Sequence, residues 1–318
     1  MPYSLLIGLG AGIVSATVFA SATTGPMLVR ILLFVLTPLA LFLAGLGVGP
    51  RAAALAGIVG TAIVFAAGSG TAALVFAASQ ALPVVLLVHF ASLSRQTEGD
   101  TEWYPIGRVV LAAALTAAAF STMTLFLLGG NEEALRETLR TTLDSFVQNE
   151  LPKMPEAPTL GPDEITEITS ITLNLLPAAS AISTMGSLLF NMWLAGRITL
   201  ASGRLQRPWP DLAAITYPPR TPLALAVATA AAFLSGMAGF IATAFAGPLF
   251  LAYVLMGLAV LHYVTRGRSW RPFALWAIYA ALFIINTVAS LAVAILGLTE
   301  SVWPLRKMIQ RPSEPPKS

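Results

Sequence analysis

Long apolar runs separated by short polar turns organise this chain from end to end. A helix rises 1.5 Å per residue, so about 20 apolar residues cross a bilayer core of about 30 Å. On that ruler nine runs stand out: residues 5–22, 28–48, 52–67, 71–91, 106–128, 171–200, 223–246, 248–264 and 273–298. The pattern predicts an all-α fold, a polytopic transmembrane helical bundle of about eight to nine spans. The third run is short, and Gly68-Ser69-Gly70 turns tightly into the fourth, so this pair reads either as two crossings or as a compact hairpin. No repeat relates the two halves. The first run ends in Ala20-Ser21-Ala22, which resembles a signal-peptide cleavage site. No basic residue precedes it, however, and Gly8, Gly10 and Gly12 interrupt its apolar centre, so a retained first helix is expected.

One hydrophilic stretch breaks the pattern. Between residues 129 and 170 lie nine acids, Glu132, Glu133, Glu137, Asp144, Glu150, Glu156, Asp163, Glu164 and Glu167, against Arg136, Arg140 and Lys153. Asn131 followed by two glutamates suits a helix start, with acids near the positive dipole end. Leu135, Leu139, Leu143, Phe146 and Leu151 then recur at helical spacing, which predicts an amphipathic helix on the membrane face or on the bundle. Pro152, Pro155, Pro158 and Pro162 predict an extended linker, and Asp163-Glu164 opens the next helix. The expected organisation is N-terminal transmembrane helices over 1–128, the acidic helix and linker over 129–170, C-terminal transmembrane helices over 171–298, and a basic, unstructured tail over 299–318.

Composition sharpens this picture. The 318 residues are 56% hydrophobic and 10% charged, with a mean hydropathy of +0.79. Soluble domains run near a quarter charged, so these charges are too few to cover one. Lipid as the outer solvent removes the need. The absence of cysteine excludes disulfides, thiolate catalysis and cysteine-ligated metals. The net charge of +3 resides in short loops, as in cytoplasmic turns of membrane proteins, and does not indicate a nucleic-acid partner. Arg51, Arg95, Arg108, Arg197, Arg204, Arg207, Arg220, Arg266, Arg268 and Arg271 share one side if nine runs cross. That places the N-terminus in the cytoplasm and the acidic segment outside. The tail contradicts the count: Arg306, Lys307, Arg311 and Lys317 are basic, yet nine crossings place them outside.

The runs hold no Asp, Glu or Lys, and Arg30 lies near enough to a run's end to snorkel. Ion-coupled carriers and intramembrane enzymes need an ionisable group, nucleophile or metal ligand at depth. No catalytic residue, cofactor or metal is therefore expected; His89 and His262 have no carboxylate at ligand spacing. The uncharged polar set is Gln80, Asn174, Asn191 and Asn286, with hydroxyls such as Thr37, Ser180 and Ser187. Two readings are open. Amides glue packed spans together for about 1 kcal/mol each, or they line a cavity for a small neutral or zwitterionic ligand. Gln80 and Asn174 each stand three residues before a proline, where a kink frees a backbone carbonyl. Gly8, Gly12, Ala16 and Ala20 recur at four-residue spacing, a small-residue ridge for internal packing or for a membrane partner. Arg204, Arg207 and Trp209 mark a membrane-surface loop, with arginines for anionic headgroups.

Three stretches carry a family resemblance. Thr37-Pro-Leu-Ala-Leu-Phe precedes Gly49-Pro-Arg-Ala-Ala-Ala-Leu-Ala-Gly57; Asn191-Met-Trp-Leu-Ala-Gly-Arg197 runs on to Arg207-Pro-Trp-Pro-Asp-Leu212; and Leu296-Gly-Leu-Thr-Glu-Ser-Val-Trp303 precedes the basic tail. In order and spacing they resemble the YybS-like family of bacterial multi-pass membrane proteins. That family is distantly similar to the substrate-binding components of energy-coupling-factor importers, small bundles that meet a coupling subunit through a small-residue ridge on the first helix. The resemblance implies a bacterial inner-membrane, non-catalytic solute- or lipid-binding bundle acting with partner proteins. With no nucleotide-binding motif, active transport would need an external ATPase module. The chain departs from those components in having more than six spans and an acidic insertion. The alternative is a cell-envelope scaffold.

Overall fold

In a computed structural model, which describes residues 2–128, 132–149, 151 and 161–309, the apolar runs fold into helices joined by turns. The chain forms two compact units. The first takes residues 1–113, 188–224 and 249–318, and the second 114–187 and 225–248.

Unit 1 begins with α1 (Pro2–Ser21), α2 (Met27–Leu36) and α3 (Leu39–Val48). The break between α2 and α3 falls at Thr37-Pro38, where proline removes a backbone donor. Ser15 Oγ donates to the Thr37 carbonyl at 2.8 Å, and Asn191 Nδ2 donates to the Val35 carbonyl at 2.7 Å. Gly49, at φ +126°, then lets the chain reverse into α4 (Pro50–Ala67), whose proline sits in the first turn, where it costs no bond. Ser69 caps α5 (Gly70–Phe76), accepting from the Ala72 N–H at 3.2 Å. A π turn over Ala77–Ala81 leads into α6 (Leu82–Ser92). The core of these helices holds Leu41, Phe42, Phe76, Val84, Leu87 and Val88, all fully buried. A tight hairpin follows, β1 (Ser94–Thr97) against β2 (Asp100–Trp103), with Ser94 opposite Trp103 and Gly99 turning at φ +95°.

The chain continues through α7 (Ile106–Leu128), α8 (Glu132–Asn149) and α9 (Pro162–Ala201). At 40 residues α9 is about 60 Å long, twice a bilayer core. Then come α10 (Thr221–Ala231), α11 (Gly236–Val264), α12 (Arg271–Ile284), α13 (Asn286–Val302) and the short α14 (Leu305–Ile309). Within unit 1, α11 and α13 cross with no room for side chains. A Cβ on Gly257 would strike the Val293 carbonyl, and one on Gly297 the Tyr253 carbonyl.

Unit 2 has its own core. Leu135 of α8 and Leu173 of α9 pack with Phe240 of α11, with Met237 alongside. Ser121 Oγ donates to the Pro177 carbonyl at 2.9 Å, and Gly247 lies 3.0 Å, measured from an ideal Cβ, from Ala178. Pro177 and Pro248 both stand inside continuous helices. Asn131, Glu150, Glu156, Lys153 and the prolines 152, 155 and 158 lie outside the described residues.

The expected all-α polytopic bundle is the observed class, with the small hairpin added. Among the described residues, seven helices are long and apolar enough to cross a membrane; 221–231, 271–284 and 286–302 are shorter apolar helices. The last three apolar runs divide differently from the hydropathy pattern. The break in 223–264 falls at 232–235, where Phe233 and Leu234 make tight bonds to Ala230 and Ala231 and Gly236 turns at φ +70°, not at Gly247-Pro248. The run 273–298 breaks at Ile285, which leaves the helical region at φ −113°, ψ 44°. α13 also extends past residue 298 to Val302, and Arg306 beyond it is buried, so the drawn start of the tail falls inside a helix. Arg311 and Lys317 lie outside the described residues.

Contacts within unit 1 bring its loops and both described chain ends to one face. Arg204 meets Tyr3; Gln206 lies 3.5 Å from an ideal Cβ on Gly49; Arg207 donates to the Ala91 carbonyl at 3.2 Å. Arg266 pairs with Asp211, and Arg306 donates to the Ala213 and Ile215 carbonyls at 2.7 and 2.8 Å. The run 273–298 therefore starts and ends at the same face, turning back at Ile285. Arg306 and Tyr3 thus both contact the loop between α9 and α10, at the Ala213 and Ile215 carbonyls and at Arg204.

A candidate ligand cavity at the arginine-rich face

Arginine chemistry dominates this face. Aromatic rings take up guanidinium faces that water would otherwise solvate. Arg197 lies 5.4 Å from the Trp209 ring centre, Arg207 5.5 Å from Trp103, and Arg108 5.8 Å from Tyr104, which itself stacks on Phe90. Burial pulls Arg207 below the usual arginine value. Asp211 is held below the usual carboxylate range, first by its hydrogen bonds from Arg266 and also by the Ala213 N–H. The reciprocal effect raises Arg266. The three surface-loop residues expected from the sequence thus all lie here, bound to named partners.

The strongest chemistry is a buried ion pair that the hydropathy pattern did not single out. Glu300, in the last turn of α13, is 6% exposed and Arg306 is 7% exposed. Trp303 and Pro304 turn the chain between them. Arg306 Nε donates to Glu300 Oε1 at 2.9 Å, and the Arg306 backbone N–H donates to Oε2 at 3.2 Å. The terminal nitrogens reach the Ala213 and Ile215 carbonyls, and the Tyr263 ring lies 6.0 Å from the guanidinium carbon. Each charge is matched, the condition under which burying such a pair is tolerable. A cavity of about 340 Å³ opens beside it, lined by Tyr217, Tyr263, Glu300, Ser301, Arg306 and Lys307 among others. Tyr217 donates to the Ala252 carbonyl at 2.8 Å and meets Tyr253 edge-on at 5.7 Å. Burial raises the Tyr217 phenol well above its ordinary value, so it stays protonated and keeps that bond.

None of the four amides expected from the sequence lines the Glu300–Arg306 cavity. Gln80 is buried in the π turn, and Asn191 is fully buried at the α2–α3 break. Asn174 is exposed on α9 in unit 2. Asn286 is exposed at the start of α13, where it accepts from Ser290 Oγ at 3.2 Å. The first-helix ridge meets α4 of the same chain. An ideal Cβ on Gly12 would lie 2.6 Å from the Ala56 carbonyl and one on Gly8 3.0 Å from Leu55, while Ala16 is buried and Ala20 exposed. Glu300 and Arg306 escaped the sequence reading because one lies just past an apolar run and the other in a basic tail. An acid and an arginine flanking Trp303-Pro304 were the available signal.

No curated protein and no solved structure matches this chain. One family model does, over residues 13–301, from the middle of α1 to the last turn of α13. The chain belongs to the family described as Predicted membrane protein (DUF2232).

Proposed function

We propose that this chain is a non-catalytic, ligand-binding membrane bundle that takes a small polar solute at the Glu300–Arg306 cavity and acts with partner proteins, as a transport component does. The observation that carries the reading is the buried ion pair in the cavity wall. A structure stabilised only by packing gains little from burying two charges. A wall offering both signs, two phenol-bearing rings and the Ser301 hydroxyl suits a zwitterion or a neutral polar molecule. Its volume falls at the lower end of the small-molecule range. By the bias of basic residues toward the cytoplasm, the arginine-rich face is cytoplasmic and the acidic segment is external, in a bacterial inner membrane. The likeness to importer components and the need for an external ATPase rest on the sequence resemblance.

The test is purification from native membranes into nanodiscs, followed by mass spectrometry of retained small molecules. A stoichiometric polar ligand, lost when Ser301→Trp fills the cavity in a protein that still folds, is the expected result. Recovery without any ligand, and with no melting response to a panel of zwitterionic solutes, overturns the reading. The scaffold alternative rests on α8, where Glu133 and Glu137 are exposed. An envelope complex recovered through α8 in the absence of ligand favours it.

A further inference from the structure

A second cavity, of about 440 Å³ and almost wholly apolar, lies in unit 1 between α1, α3 and the end of α9. Its walls include Gly10 and Val14, Leu43 and Gly47, and Ile198, and Arg204 stands among its lining residues. We propose that this groove holds one acyl chain of an anionic phospholipid, with the lipid phosphate on Arg204.

Length, depth and charge each point to that occupant. Lining residues run from Leu6 to Val14 on α1, about 12 Å of helix, within the roughly 15 Å of a single leaflet. The floor is open at Gly10, where an ideal Cβ meets nothing within 4 Å. Arg204 marks the end of the groove at the loop face. Its guanidinium donates to the Tyr3 hydroxyl and lies 5.8 Å from that ring's centre. Tyr3 is 52% exposed. Among the described residues no carboxylate pairs with Arg204, unlike Arg95, Arg266 and Arg306. A guanidinium has five donors in a planar fork, which matches a phosphate bidentately. An apolar trough that ends at an uncompensated arginine beside an aromatic ring has the polarity of a phospholipid.

Native mass spectrometry of the full chain tests this, using nanodiscs of phosphatidylcholine with a minor fraction of phosphatidylglycerol. The wild type is expected to retain phosphatidylglycerol about tenfold above its bulk share. Arg204→Gln is expected to abolish that preference while still retaining phosphatidylcholine. Gly10→Leu, which fills open space and leaves the helix contacts intact, is expected to lose both lipids. Unselective retention by the wild type overturns the proposal. So does retention that neither variant changes. Displacement of the lipid by soluble glycerol phosphate also overturns it, because recognition would then need no acyl groove. Melting curves of both variants separate lipid loss from misfolding, and Gly10→Leu alone decides the matter if Arg204→Gln fails to fold.

Discussion

The Glu300–Arg306 pair gives the sharpest energetic forecast. Removing one member of a buried, hydrogen-bonded ion pair costs about 3–5 kcal/mol, because the survivor is left desolvated and unmatched. Arg306→Met is the harsher change. It strips the Glu300 carboxylate of its cation and releases the Ala213 and Ile215 carbonyls, each a bond of 2.8 Å or less. Glu300→Gln keeps an acceptor for Nε and leaves both carbonyl bonds, so it falls at the lower end. Glu300→Leu combined with Arg306→Met is less damaging than Arg306→Met alone, since no charge remains buried. At 1.4 kcal/mol per tenfold, a 3 kcal/mol loss raises the population with the C-terminal segment released about a hundredfold. The chain has no cysteine, so a single Ser301→Cys reports on that release through its labelling rate with a water-soluble maleimide. The expected order of rates is Arg306→Met above Glu300→Gln above the parent. Equal rates in all three, with unchanged melting, would refute the claim that the pair clamps the segment.

Glycine substitutions separate close crossings from open grooves. Gly297→Ala forces a Cβ into the Tyr253 carbonyl and is expected to lower stability by at least about 1–3 kcal/mol in a denaturation assay, whereas Gly10→Ala meets nothing and gains up to about 1 kcal/mol of helix propensity. Asn191→Leu removes the bond to the Val35 carbonyl and is expected to lose about 1 kcal/mol, while Asn174→Leu, at an exposed position, leaves the melting temperature unchanged. Asp211 has a native acidity shifted below its unfolded value near 3.9, so its contribution is present above that pH and is lost only as pH falls through the lower native value. Its pair with Arg266 is about half exposed, so Asp211→Asn should cost little between pH 5 and 8, and less still at high salt.

How far the sequence reaches is clearest at its breaks. Where a turn is spelled in proline, glycine or serine, as at Thr37-Pro38, Gly49-Pro50 and Gly68-Ser69-Gly70, the pattern locates it. The turns at Phe233-Leu234 and Ile285 are built from apolar residues, and hydropathy reads straight through them because lipid solvates an apolar turn as well as an apolar helix. Pro248 misled for the opposite reason: it marks no break, and its helix continues beside the close approach of Gly247 to Ala178. The idea that a polar side chain attends a proline break is realised across helices by Ser15 and Asn191 at Pro38, a pairing that spacing along one helix does not reveal. The arginine-rich loops were legible in charge alone, but their convergence on one face depends on contacts between residues up to about 200 positions apart, such as Tyr3 with Arg204.

That both described chain ends share the arginine-rich face is the claim on which the topology depends. Single cysteines at Ser4 and Lys307, labelled in sealed, oriented vesicles with an impermeant maleimide, test it most directly. The account predicts that both react from one side. Labelling of Ser4 and Lys307 from opposite sides would contradict it.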